Sequence, residues 1–133
     1  MATFVLVHGG WQGGWSWRRV VPHLRASGHE VYTPTLTGLG ERAHLLSCVE
    51  GLDTHVKDVL GLIEYEDLEE VMLVGHSYGG VVITAVAEIV AEKLSHLVYL
   101  DAWIPKMARV CSTSCRRREP RATEKRPGFR VKE

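Results

Sequence analysis

No apolar run in this chain approaches the about 18 residues that a membrane-spanning helix requires, and the longest, Val81–Ala87, is already broken by Thr84. A transmembrane protein is therefore not expected. Cysteine is scarce: Cys48, Cys111 and Cys115 are odd in number and accompany no secretory signal, which argues against a disulfide scaffold. Cys111 and Cys115 have no histidine near them in the tail to complete a ligand set, so they read as free thiols and no metal site is expected. The N-terminus, Met1-Ala2-Thr3-Phe4, lacks the positive charge that opens a signal peptide and runs straight into a strand-like segment. A cytoplasmic protein is the expectation.

Net charge is also missing, but only by addition. Residues 1–106 carry 7 Lys and Arg against 13 Asp and Glu, and residues 107–133 carry 9 against 3, so the balance of 16 and 16 divides as −6 and +6. A uniformly basic nucleic-acid binder is excluded, and any polyanion-binding role rests on the last 27 residues alone. At 45% hydrophobic and 24% charged, 133 residues suffice for one globular core.

What is present is an alternation. Phe4-Val5-Leu6-Val7 is a short buried-strand run closed by His8-Gly9-Gly10. Trp17, Val20, Val21 and Leu24 recur with helical spacing, and Gly28 stands where a left-handed residue caps a helix. Glu30–Leu36 reads as a second strand and gives way to the turn-rich Thr37-Gly38-Leu39-Gly40. Asp53-Thr54 is positioned to cap a helix with Val56, Val59, Leu60 and Ile63 on one face. Glu70–Val74 is the third strand, Gly79–Glu92 a largely apolar helix and Leu97–Leu100 the fourth strand. Strands alternating with helices imply right-handed crossovers and a parallel sheet, here of about four strands in the order 2-1-3-4. That order reverses direction between strands one and three, where such sheets bind ligands.

The residues at that switch point carry the chemistry. Val71–Gly80 reads Val-Met-Leu-Val-Gly-His-Ser-Tyr-Gly-Gly, a Gly-x-Ser-x-Gly pattern between a strand and a helix. A nucleophilic serine needs this context: a sharp turn exposes its hydroxyl, and glycines on both sides avoid clashes. The helix start behind it offers free N–H groups, so the Tyr78 amide is placed to receive a developing oxyanion and an amide near Gly10 is the second donor.

At these residues the sequence resembles the α/β-hydrolase superfamily, and within it the branch of plant methyl esterases, hydroxynitrile lyases and similar bacterial esterases. The resemblance rests on Phe-Val-Leu-Val-His-Gly-Gly at 4–10, Gly-Gly-Trp-Ser-Trp at 13–17, Gly-His-Ser-Tyr-Gly-Gly at 75–80 and Val-Tyr-Leu-Asp-Ala at 98–102. It implies a partial α/β-hydrolase fold over residues 1–106, Ser77 as nucleophile and the Gly10 and Tyr78 amides as oxyanion hole. No cofactor is implied. Hydroxynitrile lyases of the branch carry a hydroxyl side chain after the first histidine, and Gly9 at that place favours hydrolysis of small carboxylic esters.

The rest of the triad is harder to find. The resemblance implies the chain order serine, acid, histidine, with both partners after later strands than these four. After Ser77 the only histidine is His96, expected just before strand four at the opposite end of the sheet, and residues 107–133 hold neither His nor Asp. Asp101 is the candidate acid. His8 and His76 read as hydrogen-bonding groups behind the site, His44 and His55 as residues after strand two, with His44 on a loop at the active end that is within approach of the site but read as solvated, and His23 and His29 as surface residues. Trp11 and Trp15 are candidates to line a pocket, whereas Trp17 reads as core.

From Met107 the chain is basic and lacks apolar surface, so 107–133 is expected to be a disordered tail. A changed reading frame or mis-joined exon after Pro105 fits that break; nucleic-acid binding by the tail is not favoured, because aromatic interleaving is missing. The expectation is a serine esterase nearly inactive as this chain, with strand four left as an edge that self-associates. The rival is a non-catalytic small-molecule-binding or basic-tailed interaction protein.

Overall fold

Val5, Leu6 and Val7 are 0%, 2% and 0% exposed although successive side chains of a strand point to opposite faces. Only a central strand covered on both sides allows this, and a computed structural model, which describes residues 1–105, places β1 (Thr3–Val7) inside a four-stranded parallel sheet. The sheet runs β2 (Glu30–Tyr32), β1, β3 (Val71–Ser77), β4 (Leu94–Ala102), so the expected order 2-1-3-4 is the observed one.

Both faces are covered by helices from the same chain. Val5, Val7, Val71 and Leu73 meet α2 (Leu52–Tyr65) and α3 (Gly79–Val90) through Val56, Val59, Ile63, Val82, Ile83 and Val86. On the other face Leu6, Val31 and Val74 pack against Trp17, with Val21 and Leu24 of the short helix α1 (Val21–Ala26) at the margin. At about 25 cal/mol per Å² of buried apolar surface, the α2–α3 face is the larger source of cohesion.

Several elements differ from their sequence-based expectations. The spacing of Trp17, Val20, Val21 and Leu24 spans two elements, a 3-10 turn at Gly14–Trp17 and then α1, because Pro22 opens a new helix rather than continuing one. Gly28 does end α1 in the left-handed region, at φ +82°. Asp53 and Thr54 do not cap α2: Gly51 precedes it with φ +130°, and Thr54 Oγ1 instead accepts the Glu50 N–H at 3.1 Å. Residues Gly40–Cys48, expected as loop, form 3-10 turns.

β3 and β4 are longer than predicted because each supplies the other's hydrogen bonds. Their pairing runs from Val71 opposite Leu94 to Ser77 opposite Ala102, with an irregularity between His76 and Ser77. His96 therefore lies inside β4, opposite Met72, not before the strand. β4 is an edge among the described residues, and Val98 and Leu100 are 38% and 49% exposed. No helix among the described residues is long and apolar enough to cross a membrane. The tail 107–133, with Cys111 and Cys115, lies outside the described residues.

Gly61 sits mid-way along α2 with nothing within 4 Å of the place a Cβ would occupy. Gly61→Ala is expected to stabilise the chain by about 1 kcal/mol through helix propensity. Urea unfolding at neutral pH checks this, and a loss of stability would show that the helix face is not open there.

Candidate active site

Ser77 ends β3 with φ +49°, a left-handed conformation that is strained for a residue with a side chain. The neighbouring glycines allow it. A Cβ at Gly75 would lie 2.6 Å from the Gly79 carbonyl oxygen, and one at Gly79 would lie 2.6 Å from that of Val7. A Cβ at Gly80 would lie 2.5 Å from the Trp103 carbonyl oxygen. Bare backbone thus lets the first turn of α3 descend onto β1 and onto the chain leaving β4. The Trp103 N–H donates to the Ser77 carbonyl at 3.2 Å and fastens the turn from that side.

The loop after β1 lies alongside. A Cβ at Gly9 would stand 3.1 Å from Ser77 Cβ and 3.0 Å from His76 Nδ1, and one at Gly10 would stand 3.9 Å from Tyr78 Cβ. The two turns expected to meet at the switch point do meet. The Gly9 N–H is taken by Gln12 Oε1 at 3.2 Å, whereas the Gly10 and Tyr78 N–H groups donate to no turn, loop or side-chain acceptor among the described residues. Tyr78 stands immediately before α3, and its carbonyl accepts from Val81 at 3.0 Å.

Two buried imidazoles hold this arrangement from behind. His8 is 0% exposed; its Nδ1–H donates to the Gly9 carbonyl at 2.7 Å and its Nε2 accepts the Leu36 N–H at 3.0 Å. Both nitrogens are committed, and burial pushes its pKa below the usual histidine range. His55, on α2, donates from Nε2 to the Thr37 carbonyl at 2.9 Å and accepts the Tyr78 hydroxyl at Nδ1 at 2.8 Å. Burial raises the Tyr78 phenol above its ordinary range. The sequence reading missed His55, although it shares a helix stripe with Val59 and Ile63, spaced four and eight residues on.

The segment between these rings is itself pinned. Thr35 Oγ1 accepts the Gly14 N–H at 2.8 Å and donates to Glu41 Oε1 at 2.6 Å, which draws the Glu41 carboxyl below its usual range. Thr37 donates to Asp58 from its N–H at 2.6 Å and its hydroxyl at 2.8 Å. Arg42 Nη1 donates to the Thr35 carbonyl at 2.8 Å.

The other sequence candidates make no hydrogen bond to Ser77. His76 lies edge-on to the buried Trp17 ring, with centroids 6.4 Å apart. Asp101 is exposed at φ +44° in the irregular stretch of β4 beside Ser77. His44 and His23 are exposed, and the half-buried His29 accepts the Ala2 N–H at 3.1 Å. Trp11 is 91% exposed on the loop after β1, and Trp15 is half exposed. All seven histidines are described, and none makes a hydrogen bond to the Ser77 hydroxyl. Among the described residues no group of His, Cys, Asp or Glu could hold a metal ion.

Comparison with known proteins gives the same architecture a family. Residues 4–132 match the alpha/beta hydrolase family. The chain is 58% identical over 106 residues to the carbendazim hydrolyzing esterase of a Nocardioides strain, a match covering 80% of this chain and 44% of that one. It is 36% identical over 110 residues to the alpha-hydroxynitrile lyase of Arabidopsis thaliana, covering 82% of this chain and 43% of that one. An extracellular alpha/beta-hydrolase from a Paenibacillus species superposes with a TM-score of 0.70 at 34% identity, over 80% of this chain and 43% of its own. The chain belongs to the alpha/beta hydrolase family, and it spans less than half the length of these relatives.

The fixed tautomer of His8 has a consequence for stability. Its pKa is lowered in the folded state, so the unfolded chain takes up the proton first, and the stability is complete above about pH 6.5 and lost as pH falls below it. Urea midpoints are expected to be level from about pH 8 to pH 7 and to decline towards pH 5, with a shallower decline in His8→Asn. An equal decline in the variant would show that other groups carry it.

Proposed function

We propose that this chain carries the nucleophile and oxyanion-binding half of a serine esterase, with Ser77 as the acylated residue. The observation that carries this reading is the strained turn at Ser77, which joins β3 to α3 beside the Gly9–Gly10 loop. The family membership supports it, as does the named activity of the Nocardioides relative.

In this reading Ser77 Oγ attacks the carbonyl carbon of a small carboxylic ester as its proton leaves to a base. The carbonyl oxygen becomes an oxyanion and accepts the Gly10 and Tyr78 N–H groups, aided by the positive end of α3. The C–O bond to the alcohol then breaks, the alcohol takes up a proton, and water later releases the acid from the acyl-enzyme. Hydrolysis is favoured over hydroxynitrile cleavage because Gly9 brings no hydroxyl to the site, and a side chain there would crowd His76 and Ser77 at 3.0 and 3.1 Å. His8 and His76 support the two turns.

This reading takes the base to be absent, because no histidine among the described residues hydrogen-bonds the Ser77 hydroxyl. Asp101, the one carboxylate of β4, makes no hydrogen bond to an imidazole among the described residues. In subtilisin, loss of the triad histidine costs on the order of 10⁶ in rate and leaves roughly 10³ to 10⁴ over water. Purified chain is therefore expected to hydrolyse p-nitrophenyl acetate far below the typical enzyme range of about 1 to 10³ per second, with the residue of activity lost in Ser77→Ala. Activity untouched by Ser77→Ala would overturn the assignment of Ser77. An ordinary rate abolished by Ser77→Ala would mean that a base acts, with His44→Ala the next variant.

The apolar β4 edge supports a further part of the proposal, association with a second copy of this chain through unpaired backbone groups. Val98→Lys is expected to shift the chain toward monomer in analytical ultracentrifugation, and a monodisperse wild-type monomer would contradict the proposal.

A further inference from the structure

We infer that His55 is a positioning residue that sets the orientation of the Tyr78 amide, an inference that rests on the oxyanion role proposed above. Tyr78 follows the strained Ser77, and the peptide between them carries the N–H in question. A left-handed residue has an easier conformation nearby, and moving toward it would swing that N–H away. The Tyr78 side chain opposes the swing. Its hydroxyl donates to His55 Nδ1 at 2.8 Å, and its ring meets the imidazole edge to face at 5.6 Å and 81°.

His55 is able to serve as an anchor because it is fixed in turn. It is 6% exposed, and its Nε2–H is held by the Thr37 carbonyl at 2.9 Å. Asp58, one turn further along α2, takes the N–H and hydroxyl of the same threonine at 2.6 and 2.8 Å. α2 thus grips Thr37 from both sides. The preceding residue, Leu36, donates its N–H to His8, whose other nitrogen holds the Gly9 carbonyl next to Gly10. Two adjacent residues of one loop therefore connect to both proposed oxyanion donors, Leu36 through His8 to the Gly10 side and Thr37 through His55 to Tyr78.

The test follows the amides themselves. Backbone ¹H–¹⁵N spectra and amide exchange are recorded for the free chain and for His55→Leu, His55→Gln and Tyr78→Phe. In the free chain the Leu and Phe variants are expected to shift the Tyr78 amide and speed its exchange while leaving Gly10 in place, and Gln, which keeps an acceptor and a donor, is expected to restore it. A Tyr78 amide unmoved in folded Tyr78→Phe would overturn the inference, even if His55→Leu fails to fold.

A second arm uses a fluorophosphonate. Ser77 Oγ forms a bond to phosphorus, the P–F bond breaks, fluoride leaves and the serine proton passes to buffer. The labelling rate constant is expected to fall about tenfold in Tyr78→Phe at unchanged probe affinity, less than the roughly 10² to 10³ lost when a donor is removed outright. An unchanged labelling rate in that variant would overturn the inference while leaving the function standing. A wild type that labels too slowly to follow would agree with a serine that no base activates, and the free-chain spectra would then decide the inference.

Discussion

Everything that distinguishes this site depends on one backbone constraint, the left-handed conformation of Ser77 at φ +49°. An L-residue there sits roughly 1 to 2 kcal/mol above its preferred conformations, so the turn persists only because its surroundings leave no alternative. Those surroundings are backbone against backbone. Gly75, Gly79 and Gly80 each lie where a methyl group would come within 2.6 Å of a carbonyl oxygen. The strand can therefore end, reverse and become a helix within a residue of Ser77, and the hydroxyl is presented at the tip.

Around that turn the polar groups are placed by burial and pairing. The two imidazoles that brace the loops are 0% and 6% exposed, yet each ring nitrogen meets a backbone or phenol partner. A buried polar group without a partner costs about 1 to 3 kcal/mol, so these bonds specify the arrangement chiefly by what breaking them would lose. Thr35, Leu36 and Thr37, which join no regular element, are buried for the same reason: they are the surface to which both turns are tied.

Much of this was legible in the residues. The β-branched runs, the Gly-x-Ser-x-Gly spacing and the handedness of the crossovers were enough to place strands one and three side by side, because each reports a local constraint. The ends of β3 and β4 were not legible. Gly75-His76 has weak strand preference of its own and is extended because β4 pairs with it. Helix α1 was overread because apolar spacing continued across Pro22. His55 was passed over since a histidine in an apolar stripe gives no hint of its partners, and those partners, Thr37 and Tyr78, lie 18 and 23 residues away in the chain. The histidine count was legible as well: of seven, only His96 follows Ser77, and it lies near the start of β4, opposite Met72.

The strain at Ser77 is open to direct measurement by comparing the unfolding free energies of Ser77→Gly and Ser77→Ala. Glycine accepts a positive φ without steric cost and alanine does not, so Ser77→Gly is expected to be more stable than Ser77→Ala by about 1 kcal/mol, even after the greater freedom of glycine in the unfolded chain is counted. If Ser77→Ala is instead the more stable of the two, the turn is not held in the left-handed region, and the account of how this fold presents its serine is wrong.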